Sequence, residues 1–325
     1  MSESSVIGSS GTTTSGSTAD RELKLPVRSD TLYRSLSAIV VGFFILVGVT
    51  YFWSIIDKSI PGWKSAGFGF FTGTQWNLTS NQFGAVPLIV TTLATTLLAM
   101  LFATPIGVGA ALALNFLIPR RLQLLASSLV ELLAIVPSVI YGAWGFQVLQ
   151  PLMYHHVDPW LQKTFHNTWP FNGGISGEGI LLGGMVLSAM CAPIVTAVSR
   201  DVFEVIPRDL IEGAVSLGAT KSQVLRKVVL PTSRSGVLAA MTLALGRALG
   251  ETIALTFVLG GVNGVPKSLF SAGSTLASQI ASELGAGGAL GDSALFCCAV
   301  VLIVMVGLVN TAARSIISRS QRKFL

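Results

Sequence analysis

Six apolar stretches, at about 35–56, 86–116, 122–150, 178–200, 234–261 and 293–316, occupy most of the sequence, each near or above the roughly 20 residues a helix needs to cross a bilayer core. With 51% hydrophobic and 11% charged residues, against about 25% charged in ordinary soluble domains, the chain reads as an all-α integral membrane protein with six transmembrane helices. Pro105 and Pro137 predict a tilt or kink in the two longest stretches, and Pro193 a kink in the fourth. One membrane domain over residues 31–325 is expected, preceded by an arm over 1–30. The first part of that arm is rich in Ser, Thr and Gly and buries too little apolar surface to fold. The segment from Leu36 to Ile56 is too long for a signal-peptide core and has no obvious small-residue cleavage site, so it reads as an anchor. Cys191, Cys297 and Cys298 fall in apolar segments without metal-ligand spacing and read as packing residues.

Orientation follows from lysine and arginine in the connecting segments. Arg21, Lys24, Arg28 and Arg34 precede the first span, Arg120 and Arg121 lie between the second and third, and Arg314, Arg319, Arg322 and Lys323 follow the sixth. Arg200, Arg208, Lys221, Arg226, Lys227 and Arg234 lie in and around the segment between the fourth and fifth. The opposite side has only Lys58, Lys64, Lys163 and Lys267. Both termini are therefore expected in the cytoplasm, and the net charge of +6 is explained by topology and contact with membrane lipids, without nucleic acid.

Between the fourth and fifth spans lies a polar island, residues 207–231. Pro207 suits a first helical turn, and Leu210, Ile211, Ala214 and Leu217 recur at helical spacing until Gly218 stops the helix. Thr220 and Gln223 have the form of a capping box for a second short helix carrying Val224, Leu225 and Val228, which Pro231 is expected to close. The expected product is a helix-turn-helix knuckle on the cytoplasmic side. The spacing of Glu212, Gly213, Ala214, Gly218, Leu230 and Pro231 resembles the EAA loop of ABC-importer membrane subunits, with Gly213 and Val228 where that family more often has Ala and Ile. The resemblance implies a type I ABC-importer permease fold in which this knuckle is the coupling helix that docks on a separate ATPase.

The fifth span holds Arg247 and, four residues on, Glu251. An arginine near mid-helix costs about 2.5–3.5 kcal/mol on the insertion scale, so Arg247 must face protein, a counter-charge or a water-filled path. On a continuous helix the two side chains share a face, so they pair with each other or jointly line a pathway. Gly246 and Gly250 form a small-xxx-small pattern that admits a neighbouring helix. Arginine offers planar, permanently charged donors that suit phosphate and similar oxyanions.

Gly246-Arg-Ala-Leu-Gly-Glu-Thr252, one span after the island, resembles the phosphate-specific importer permeases. Thr74-Gln-Trp-Asn77 leading into Phe83–Leu88, and Glu131 through Gly142, are similar to the C-type subunit of that pair, and the likeness covers most of 35–318. The resemblance implies half of a heterodimeric pore in a bacterial cytoplasmic membrane. It would be completed by a related A-type permease, two ATPase copies that hold ATP and Mg, and an extracytoplasmic phosphate-binding protein. No cofactor is expected on this chain, which lacks the Gly-x-x-x-x-Gly-Lys-Ser/Thr loop and is not expected to be an enzyme.

Three roles stay open for Glu131: lining the pathway, capping a neighbouring helix, or pairing with a basic residue near the interface. His155, His156 and His166 match no metal-site spacing and read as part of a solvated external loop with Trp160, Trp169 and Phe171. Residues alone leave open a permease for sulfate, molybdate or phosphonate, or a proton-coupled carrier using Arg247, Glu251 and Glu131. A membrane phosphatase or transferase would need a nucleophile or metal constellation that the sequence does not display.

Overall fold

The computed structural model describes residues 27–322, with side chains described from 32 to 315. The expected arm lies outside the described residues as far as residue 26, and residues 27–30 are already the first turn of α1 (Val27–Ala66). The chain divides into two units, residues 1–53 and 54–325. In the first, every described residue belongs to α1.

In the second unit a short hairpin, β1 (Trp76–Asn77) and β2 (Gln82–Phe83), precedes α2 (Val86–Leu112), which continues through a wider turn at Ala113–Leu117. There follow α3 (Arg120–Ile135), α4 (Ser138–Trp144), whose helical path runs on to Thr164, and α5 (Ile180–Glu204). The island contains α6 (Arg208–Ser216) and α7 (Lys221–Val224). Last come α8 (Arg234–Leu249), α9 (Ile253–Val258), α10 (Leu276–Glu283) and α11 (Gly288–Arg322). Four described helices are long and apolar enough to cross a membrane, and two bent helix pairs bring the total to six if each is one span.

The two bent pairs alter the expected third and fifth spans. Residues 120–135 and 138–164 meet at 92°, a corner rather than a kink. Its cause is Pro137, which lacks an N–H and holds the preceding Val136 extended, with ψ at 129°. The Tyr141 hydroxyl spans the corner by donating to the Leu133 carbonyl at 2.9 Å. Pro105 and Pro193 instead lie inside the unbroken helices α2 and α5. The path to Thr164 is helical, so His155 and His156 stand on a helix and not in a loop. Among the described residues no three His, Cys, Asp or Glu side chains converge as a metal would require.

The centre is α5, with 72% of its most apolar window buried. Small residues let backbones approach it, since helices in lipid associate through close packing more than through hydrophobic exclusion. Gly184 of α5 lies under Leu98 of α2, and Gly107 of α2 under Val195 and the Ala192 carbonyl of α5. Leu182, Leu187, Met190, Ala244, Leu255 and Val258 fill the core between α5, α8 and α9. A second cluster gathers Phe70, Trp76, Phe83, Leu88, Leu276 and Leu295 under the hairpin, where the Trp76 indole donates to Glu283 Oε2 at 2.7 Å.

Gly142 sets the distance between α4 and α9. A carbon added there would stand 2.7 Å from Ala254 Cα, a backbone atom that no rotamer change can move. Gly142→Ala should therefore lower the thermal midpoint in detergent, overpacking costing about 1–3 kcal/mol. Gly109→Ala, with nothing within 4 Å, should match the parent or exceed it slightly. Equal midpoints for the two variants would refute the close approach.

Candidate functional site

The fifth span is not one helix. α8 ends at Leu249, Gly250 caps it, and Glu251 and Thr252 form a break before α9 begins at Ile253. The expectation that Arg247 and Glu251 share one helical face is therefore corrected, because the side chains leave the chain on either side of a turn. Glu251 is buried, 8% exposed, and its Oε1 accepts the Ala254 N–H at 3.2 Å. A carboxylate there satisfies a free donor of the first turn of α9 and meets the positive end of its dipole.

Arg247 turns the other way. Its side chain is exposed, it has no ion pair among the described residues, and it enters a cleft of about 720 Å³. Thr242, Gly246, Asn310 and Arg314 supply polar or open positions in that cleft, while Ala134, Ile194 and Leu243 supply apolar wall. The two charged residues make no ion pair with each other. Gly246 faces Asn310 of α11, as the small-residue pattern suggested, but Gly250 meets only the backbone of its own helix. Sequence reasoning missed Asn310 and Thr242 as cleft residues. The available signal was a lone amide inside the sixth apolar stretch.

Glu131 lies in a different place. It accepts from Arg200 Nη1 at 2.9 Å, and Arg200 also holds Asp201 at 3.0 Å. Asn115 donates its amide to the Arg200 carbonyl at 2.9 Å, tying the ends of α2, α3 and α5 together. Arg120, Ser127, Glu131, Arg200 and Glu204 line a separate cleft of about 460 Å³. Of the three roles open to Glu131, pairing with a basic residue is the one the geometry displays.

The island forms the expected knuckle with one change. Gly218 has φ +82°, and the capping box is complete: the Thr220 N–H donates to Gln223 Oε1 at 2.8 Å and the Gln223 N–H to Thr220 Oγ1 at 3.4 Å. Pro231 does not close the second helix. A wider turn over Leu225–Val229 absorbs the missing proline donor, and Pro231 falls in the first turn of a short helical piece, Leu230–Thr232. Ile211 and Ala214 pack inward against Ala111, Phe203, Ile206, Val224 and Val229. Leu210, Val215 and Leu217 point out, with Leu217 90% exposed beside exposed Glu212 and Gly213. Of the four residues that recur at helical spacing, Ile211 and Ala214 face inward while Leu210 and Leu217 belong to the outer face.

The family model for the binding-protein-dependent transport system inner membrane component matches residues 103–324. The phosphate transport system permease protein PstC of Pasteurella multocida is 37% identical over 296 residues, 90% of this chain and 92% of the relative. The protein of the same name from Mesorhizobium japonicum is 38% identical over 288 residues, 87% and 88% of the two chains. A chain in the crystal structure of a bacterial alginate ABC transporter, in complex with an alginate pentasaccharide-bound periplasmic protein, aligns with a TM-score of 0.57. That alignment covers 88% of this chain and 93% of the other at 19% identity, a likeness of fold alone. With its apolar helices, its polar knuckle and this match, the chain belongs to the family of binding-protein-dependent transport system inner membrane components, as a multi-pass membrane permease.

Proposed function

We propose that the chain is the permease subunit of an ATP-driven phosphate importer, forming half of the translocation pathway. The observation that carries this reading is Arg247: a permanently charged side chain between two apolar helical stretches which, among the described residues, has no ion pair and faces a cleft with no carboxylate in its lining. A planar guanidinium binds tetrahedral oxyanions by charge-assisted hydrogen bonds, and an unpaired one remains available to passing solute. Binding has to be weak enough for release, and beside Arg247 itself the cleft offers the neutral amide of Asn310, with Arg314 one turn further along α11. The relatives named for phosphate transport support phosphate over sulfate, molybdate or phosphonate.

Glu251 shapes the pathway from within the protein. By capping α9 it holds the break that turns Arg247 into the cleft. Glu131, through Arg200, ties α3 to α5 just before the island. The island is the coupling element: exposed Leu210, Val215 and Leu217, with Glu212 and Gly213, form a face that docks on an ATPase dimer, where ATP and Mg are held. Leu230 and Pro231 join that knuckle to α8. A related A-type permease completes the pore and an extracytoplasmic phosphate-binding protein delivers solute. The assembly belongs in a bacterial cytoplasmic membrane with both termini in the cytosol, on the side where basic residues concentrate.

Three measurements test these roles. In proteoliposomes holding the complete assembly, Arg247→Ala should reduce phosphate uptake at least about a hundredfold, two lost charge-assisted hydrogen bonds at about 1.5–3 kcal/mol each, while the subunits still co-purify. Uptake at the parent rate would remove Arg247 from the pathway. At Gly218 the strain of φ +82° predicts that Val uncouples ATP hydrolysis from uptake whereas Asn, which tolerates that region, retains most of it. Equal transport by both variants would contradict a coupling role for the turn. Protease should reach tags at both termini only from the cytosolic side, and a tag beside Lys163 only from outside; the reverse pattern would overturn the orientation.

A further inference from the structure

The cleft that holds Arg247 contains a second arginine. Arg314 is on α11, with Asn310 one turn before it, and both line the same space. α8 and α11 pack side by side. Gly246 faces Asn310 across that contact: a carbon added there would stand 3.9 Å from both Oδ1 and Nδ2 of Asn310. Gly246 directly precedes Arg247, so the amide lies at the level of that arginine's backbone. Arg314 is about 6 Å further along α11, at 1.5 Å per residue. On α8 the cleft continues through Thr242 and Ala239, about 7.5 and 12 Å from Arg247 toward the island at 1.5 Å per residue.

The chemistry of this lining favours an anion at both ends. Among the described residues no Asp or Glu lines the cleft. Arg314, like Arg247, has no ion pair among the described residues, and the Asn310 amide has no hydrogen-bond partner there although it is partly buried. Thr242 already donates to the Leu238 carbonyl at 2.8 Å, so its hydroxyl hydrogen is committed to its own helix, and the donors left among the described lining residues are Arg247, Asn310 and Arg314. From charge counting alone Arg314 is one of several cytoplasmic topology residues. Its place in the cleft distinguishes it from the others.

We propose that Arg314 and Asn310 form a second oxyanion station, which takes the anion from Arg247 and releases it at the cytosolic mouth. The inference rests on the reading of Arg247 as a pathway residue. A single strong cationic site retains its ligand, whereas two weak sites a few ångströms apart let an ion move by stepwise exchange. Asn310 is the intermediate contact, donating two N–H groups without adding charge. The same guanidinium chemistry also suits a phospholipid headgroup, which an arginine near the cytosolic interface meets.

The test is phosphate uptake by the complete assembly in proteoliposomes, with ATP hydrolysis measured in the same vesicles. Arg314→Gln should lower uptake about tenfold, the loss of one charged contact, with hydrolysis within about twofold of the parent. Asn310→Leu should lower uptake severalfold, and Arg314→Lys, which keeps the topology charge, should retain about half or more. If Arg314 holds a headgroup instead, uptake and hydrolysis will fall together in Arg314→Gln and both will follow the anionic lipid content; that result overturns the station. Parent-level uptake in Arg314→Gln and Asn310→Leu also overturns it. Arg247→Ala run in parallel separates the two readings: inactive Arg247→Ala beside active Arg314→Gln removes only the second station, whereas active Arg247→Ala removes the pathway reading itself.

Discussion

An arginine between two apolar helical stretches has to be kept from lipid, and much of the second unit is arranged around that constraint. On one helix with a carboxylate four residues away, Arg247 would be neutralised by its neighbour. The break at Gly250–Thr252 prevents this. It buries Glu251 at the start of α9, where the Ala254 N–H donates to its carboxylate and the helix dipole favours negative charge, and leaves Arg247 to the cleft. Gly142 under Ala254 brings α4 close against α9, and the core of α5 supports both from behind. The charged pair of the sequence thus becomes two residues in separate settings, one buried in the protein and one exposed in the cleft.

The helix that carries Arg247 is joined directly to the knuckle. Around Ser233 the path bends by 70°, yet hydrogen bonds continue across the bend: the Ser233 N–H donates to Val229 at 3.1 Å and the Val237 N–H to Ser233 at 3.0 Å. Val224 and Val229 of the knuckle share a packed cluster with Ala111 of α2, Phe203 and Ile206 at the end of α5, and Val237 of α8. Packed side chains and continuous backbone therefore connect the knuckle to the base of α8. The Glu131–Arg200 pair fastens α3 to α5 at the same end. An ATPase acting on the exposed face of α6 would have a short mechanical route to the cleft.

What could be read from the sequence was local. The Thr220–Gln223 box, the stop at Gly218 and the interruption at Pro137 each depend on residues within one turn, and each forms. The break after Leu249 was hidden because apolar spacing continues from Leu243 to Leu255 and no proline marks it; Gly250 reads equally well as a packing residue. Leu210 and Leu217 keep helical spacing but face outward, since periodicity gives an apolar face without saying whether this protein or a partner covers it. Pro231 failed as a stop signal because a wider turn removed the need for its N–H. The hairpin and the Trp76–Glu283 bond join residues far apart in the chain, beyond any local pattern. Arg314 was visible as a charge, but its place in one cleft with Arg247 required the packing of α8 on α11.

The central claim is that Arg247 is reached by water and Glu251 is not. Thiol labelling tests it in a background with Cys191, Cys297 and Cys298 replaced by alanine, using a small charged reagent on the assembled, membrane-embedded complex. Cysteine at position 247 should be modified rapidly and cysteine at 251 should stay protected. Rapid labelling at 251 with protection at 247 would contradict the account, because the path would then run along the other side of the break.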